Sequence, residues 1–222
     1  MLVEPPEDAA RLTLDRAVAE AVAARINAGS RTGPDADAIA LRALLADIPA
    51  SVSPAVRALL GRIEAATAPP LTVHGPLSEA LAADRFGLSF GRAADPVIAL
   101  KSDRALIDIA VGGWWGRLLA VPDLRVIAAL PDDRHGRPHA LLVAAAQPGP
   151  TGDDRTFWVT DSPASDARII AALSDAGLAA SPLAAAGGLK LFALAGYVQA
   201  QDPRLASAPG ALNGVIGAAP VY

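Results

Sequence analysis

The sequence predicts an α/β protein built in three successive segments, and three observations predict it. Apolar residues recur at helical spacing up to Pro69-Pro70, strand and helix signals alternate after it, and residues 152–222 read β-α-β-β-α-β. Proline- and glycine-rich breaks at Ala68-Pro-Pro70 and Pro148–Asp154 separate segments 1–68, 71–148 and 152–222.

Composition bounds what such a chain can do. With 222 residues, 52% of them apolar and 19% charged, it can bury roughly 70% of its unfolded surface, though a core so rich in alanine is expected to be shallow. No apolar run reaches about 18 residues, and Met1–Asp8 is acidic and proline-rich, so neither a membrane span nor a signal peptide is expected and the cytoplasm is the expected location. Without cysteine there is no disulfide framework, thiol nucleophile or thiolate metal site. The net charge of −4 and the scattered basic residues argue against a nucleic-acid partner. Only Lys101 and Lys190 are lysines; the other cations are arginines, whose forked donors suit carboxylates.

In the first segment, Leu14, Val18, Val22 and Ile26 recur every fourth residue, with Ala21 and Arg25 on the same face, predicting a helix over 7–28. Gly29 and Gly33-Pro34 end it. A second helix, capped by Asp35 or Asp37, carries Ile39, Leu41, Leu44, Leu45 and Ile48. Ser53-Pro54 opens a third, with Val56, Leu59, Leu60 and Ile63 as its stripe. Three such helices cannot enclose a core alone, so a homodimer through them is expected.

The second segment opens on Thr72-Val-His-Gly-Pro-Leu-Ser, read as a strand, a turn at Gly75-Pro76 and a helix from Leu77 to Arg85 ended by Gly87. A strand passing through a glycine turn into a helix start presents backbone N–H groups, so Gly75 and Ser78 are candidate ligand-binding residues for an anion. Pro96–Lys101 reads as strand or helix start, and Ala105–Val111 as a buried strand. Gly112-Gly-Trp-Trp-Gly116 follows; Trp114 is either a pocket wall at the strand's carboxyl end or, with Trp115, a cover for the core. Leu124–Leu130 and Ala140–Ala146 are further strands around the polar turn Pro131–Pro138. His74, His135 and His139 lack metal-ligand spacing, and no cofactor is expected.

In the third segment Thr156–Thr160 is a strand and Ser165–Ala176 a helix stopped by Gly177. Leu178–Leu183 is extended, Gly187-Gly188 a hairpin turn, Leu189–Ala195 a strand, Asp202–Ala208 a short helix and Val215–Val221 the last strand. That order is the ferredoxin-like arrangement.

The succession resembles the bacterial fusion of chorismate mutase with prephenate dehydratase, which ends in an ACT regulatory domain. Gly75-Pro-Leu-Ser-Glu-Ala-Leu81 is similar to the pattern opening the dehydratase domain, and Ile107–Val111 to a later strand of it. Gly112-Gly-Trp-Trp stands where the family carries a Pro-Ile-Glu-Asn-Ser-like sequence. Asp154-Arg-Thr-Phe157 is similar to the Thr-Arg-Phe motif, which makes Thr156 a ligand-binding candidate. Leu191–Gly196 and Val215–Pro220 resemble the ACT signature strands. The resemblance implies a chorismate-mutase-like helical segment, one periplasmic-binding-like α/β lobe in place of the dehydratase's two, and an ACT-like segment. With one lobe, dehydratase activity is not expected.

In the first segment Asp15 and Arg25 keep the family's spacing on helix 1, and Leu44-Leu45 its paired leucines. The mutase holds chorismate's carboxylates with cations and stabilises the breaking ether oxygen without covalent chemistry. The resemblance implies Arg25, Arg11 and Arg31 as the cations, Asp37 on the hydroxyl and Thr67 near the ether oxygen. The family's lysine and Arg-Glu pair are absent here. Two functions therefore stand: an isomerase turning chorismate into prephenate, or a catalytically degenerate relative that binds a small carboxylate (chorismate, prephenate or an aromatic amino acid) and regulates the same pathway. A purely structural assembly protein is a third.

Overall fold

A computed structural model describes residues 16, 19, 34–46 and 53–222. Helix α1 (Pro34–Ala46) and helix α2 (Ser53–Thr67) match the second and third helices expected, while most of the first expected helix, 7–28, lies outside the described residues. The α/β part then runs β1 (Thr72–His74), α3 (Pro76–Phe86), β2 (Gly91–Arg92), α4 (Pro96–Ala99), β3 (Arg104–Asp108), a 3-10 helix at Trp114–Ala120, β4 (Arg125–Leu130) and β5 (Ala140–Ala144). After it come β6 (Asp154–Thr160), α5 (Asp166–Asp175), β7 (Ala180–Ala186), β8 (Leu189–Ala195), a 3-10 turn at Pro203–Leu205 and β9 (Asn213–Pro220).

Local chemistry accounts for most of these bounds. Gly75 enters α3 at φ 101°, and the N–H of Gly87 bonds to Ala83 O past its end at φ 87°. Asp95 caps α4 by accepting from Ile98 N at 2.8 Å, so the stretch expected as strand or helix start begins as the short helix Pro96–Ala99. One strand has no counterpart among the expected elements, and one expectation changes. Strand β2 is only two residues long and carries no periodicity to read. The helix expected over Asp202–Ala208 is a single 3-10 turn, because Asp202 caps the Arg204 N–H and Pro209-Gly210 prevents extension.

Among the described residues the nine strands form one mixed sheet, ordered β2-β1-β3-β5-β4-β9-β6-β8-β7. Strands β2 and β3 run parallel to β1, and β5 runs antiparallel between β3 and β4. The remaining four are antiparallel with the ferredoxin-like order β9-β6-β8-β7. A single parallel pair, Val126 with Gly217, joins the two halves. The segments expected at 71–148 and 152–222 thus share one sheet.

That continuity is also what the core shows. One face carries a cluster spanning both halves, with Ile107, Leu141, Val126, Phe157 and Leu191 beneath Trp114 and Trp115. The opposite face is split: Leu106 and Leu142 of the sheet pack against Phe86 of α3, and Trp158 and Phe192 against Ile169 and Leu173 of α5. Helix α2 packs against α3 outside the sheet.

Candidate functional site

The residues expected to bind ligand divide between two places. At the carboxyl ends of β1 and β3, the first turn of α3 is already occupied by an anion of the protein's own. Asp108, buried, accepts from Ser78 N at 2.5 Å, Ser78 Oγ at 2.5 Å and Leu77 N at 3.2 Å. Any side chain at Gly75 would collide with that carboxylate. Gly75 and Ser78 therefore hold Asp108, and the positive helix end is neutralised internally.

Trp114 sits in the core rather than on a pocket wall: it is 2% exposed and its Nε1 donates to Asp108 O at 2.8 Å. Trp115 is wholly buried, with Nε1 donating to Ile109 O at 3.2 Å. Both indoles are satisfied by the loop that leaves β3, and they cover the shared face of the sheet. Thr156 lies on the other face, since strand alternation puts Phe157 and Val159 with the indoles. Its Oγ1 donates to Gly196 O at 2.8 Å and accepts from Val198 N at 2.8 Å. The four residues do not converge on one cavity. Arg11, Arg25 and Arg31 lie outside the described residues; Asp37 and Thr67 fall on α1 and α2, with side chains outside the described set.

The cleft with the most chemistry is one that Thr156 braces from behind. It encloses about 340 Å³ where β6 and β7 begin and β8 and β9 end, and its lining includes Arg134, Asp153, Arg155, Ser181, Gly196 and Val221. Alanines supply much of the remaining wall and leave room for a ligand. Arg134 pairs with Asp153 at the rim. Asp154 also lines the cleft, its carboxylate accepting from Thr151 N at 2.8 Å and Thr151 Oγ1 at 2.6 Å.

Arg155 differs from its neighbours. Burial pushes its guanidinium below the ordinary arginine value, while the charges of Asp133 and Asp153 partly restore it. Among the described residues no carboxylate lies within ion-pairing distance of it, and its one protein hydrogen bond is a long one, Nη2 to Arg134 O at 3.4 Å. A half-buried guanidinium with unspent N–H donors, facing a cleft, is suited to accept a carboxylate in a forked geometry. Among the described residues no His, Asp and Glu group is arranged to hold a metal ion, and no helix is long and apolar enough to cross a membrane.

No protein-family model matches the chain, and no curated protein matches it. Two solved structures are similar in part. One is described as GqqA, a novel type of quorum quenching acylase: it is 14% identical with a TM-score of 0.44, over 68% of this chain and 95% of that one. The other is prephenate dehydratase from Arthrobacter aurescens in complex with L-Phe, 15% identical with a TM-score of 0.40, over 68% of this chain and 89% of that one. Scores this low carry no argument about activity.

Sequence reasoning missed the cleft. Arg134 sits in what reads as a polar turn, and Arg155 was visible only as the neighbour of Thr156. Their proximity depends on β9 lying between β4 and β6, and the β4–β9 join between the two halves is a pairing no local pattern announces.

Proposed function

We propose that this chain is a small-carboxylate-binding regulatory protein, related to the chorismate mutase and prephenate dehydratase proteins of aromatic amino-acid synthesis, with Arg155 as the principal anion contact. One observation carries the reading: a half-buried guanidinium without an ion-pair partner among the described residues lines a cleft of small-molecule size. The ACT-like stretches Leu191–Gly196 and Val215–Pro220 fall at the end of β8 and within β9 in the ferredoxin-like order, which supports the regulatory half of the reading at the level of fold. Exposed Ile39 on α1 and Leu59 on α2 support a homodimer through the helices.

Calorimetric titration with prephenate, chorismate and L-phenylalanine tests it. At least one should bind, and Arg155→Ala should weaken it about tenfold or more, as expected for loss of a charge-assisted pair. Failure of all three to bind, or an unchanged affinity in the variant, would overturn it. The Asp15 to Arg25 spacing and the Leu44-Leu45 pair support a second reading, chorismate mutase activity through Arg25, Arg11, Arg31, Asp37 and Thr67. Its test is chorismate consumption, followed by ultraviolet absorbance, in the native protein beside Arg25→Ala.

A further inference from the structure

Three backbone segments meet behind the cleft. Val221 N donates to Asp153 O at 3.0 Å, Tyr222 N to Asp132 O at 2.9 Å and Arg134 N to Tyr222 O at 3.0 Å, so 132–134, 151–154 and 221–222 form one joint. On one side of the joint, the side chains of Arg134 and Asp153 line the cleft. The opposite side receives arginines from three helices. Arg57 of α2 and Arg85 of α3 both pair with Asp132.

Arg42 of α1 makes the densest of these contacts. Its guanidinium donates to Thr151 O, to Thr151 Oγ1 at 3.1 Å, to Asp153 O at 2.7 Å and to Val221 O at 2.9 Å, and it lies 5.6 Å from the Tyr222 ring centroid. Asp153 and Val221 therefore serve two structures at once: they line the cleft, and their carbonyls seat helix α1. Asp153 O accepts from both Val221 N and Arg42. Unseating α1 leaves three backbone carbonyls without the guanidinium and frees the cleft wall to move.

We infer that Arg42 couples occupancy of the Arg155 cleft to the docking of helix α1, so that a bound carboxylate and a seated N-terminal helix favour each other. The inference rests on the reading of the cleft as a carboxylate site. The coupling is reciprocal: whatever holds the joint in its seated form helps both the ligand and the helix. Arg42 acts here as a positioning residue, since it does not line the cleft.

The test combines amide hydrogen exchange of residues 34–46 with calorimetry, using prephenate, chorismate and L-phenylalanine as probes. In the native protein a bound probe should slow exchange in α1 by about fivefold or more. Arg42→Ala should weaken the probe by about tenfold and abolish the exchange response, although Arg155 is untouched. Arg42→Lys keeps the charge but not the fork, and should fall between the two. Binding with no change in α1 exchange, or native affinity in Arg42→Ala, overturns the coupling and leaves the carboxylate site standing. Failure of all three probes to bind the native protein overturns both.

Discussion

Asp108 caps the first turn of α3 from a different strand, with its Oδ1 2.5 Å from both the amide nitrogen and the hydroxyl of Ser78. An acidic side chain at the end of β3 thus does for α3 what Gly75, in the N-cap position, has no side chain to do. Asp108→Ala should cost about 3 kcal/mol, because it strips the partner from buried donors; Asp108→Asn, which keeps an acceptor, should cost about half that. Denaturant unfolding measures both, and equal losses would show that the charge contributes nothing.

Gly217 is the one residue of β9 paired with β4, and its φ of 142° disfavours any other residue. A Cβ there would fall within 2.8 Å of Val126 Cα and nearer still to its backbone nitrogen and oxygen. Gly217→Ala should destabilise the fold by about 2 kcal/mol or more and loosen the join between the halves. Thermal unfolding of the variant should separate into two transitions or shift down as one; an unchanged curve would contradict the close approach.

All three tryptophans are buried, so the folded protein should emit in the blue part of the indole range and resist quenching by acrylamide. Trp115→Ala should cost about 3 to 5 kcal/mol, the range for removing a buried aromatic side chain, and more than Trp115→Phe. Ready quenching of the native protein would place an indole at the surface.

Two groups give the stability a pH dependence at opposite ends. Burial, reinforced by Asp132 and Glu64 and opposed by Arg85 and Arg42, raises the Tyr222 phenol well above the ordinary tyrosine value. The contribution of a raised group is complete below the unfolded value of about 10 and declines as pH climbs past it. In a Tyr197→Phe protein, whose remaining tyrosine is Tyr222, phenolate absorbance should appear only as the fold is lost. At the acid end, hydrogen bonds from the Arg204 side chain and backbone N–H lower the Asp202 carboxyl to about 2. Its contribution is present above the ordinary carboxylate range and is lost as pH falls through about 2. Nuclear magnetic resonance titration should find that value in the native protein and a higher one in Arg204→Ala, still below the ordinary carboxylate value because the backbone N–H of residue 204 remains.

Much of the fold was legible because its signals are local. The stripe on α5 puts Ile169 and Leu173 inward, and both are buried; Gly187-Gly188 turns the β7–β8 hairpin with positive φ at both glycines. Asp108 was legible only as a polar residue in an apolar strand. Its role depends on α3 lying over the end of β3, thirty residues away from Ser78. For the same reason a glycine turn at a helix start read as an open anion site, when a distant side chain already filled it.

What the sequence determined by itself is the set of elements and their order: the helices around 34–67, the alternation after Pro70 and the β-α-β-β-α-β ending. Periodicity, caps and turn glycines act between residues a few positions apart, so they survive reading in one dimension. Tertiary structure alone decided that the last two segments share a sheet, that the tryptophans cover its common face, and that Arg134, Asp153 and Arg155 enclose a cleft beside the joint held by Arg42. Those outcomes rest on strand pairings and buried carbonyls that find their partners across much of the chain, and such long-range satisfaction leaves no repeat in the sequence to read.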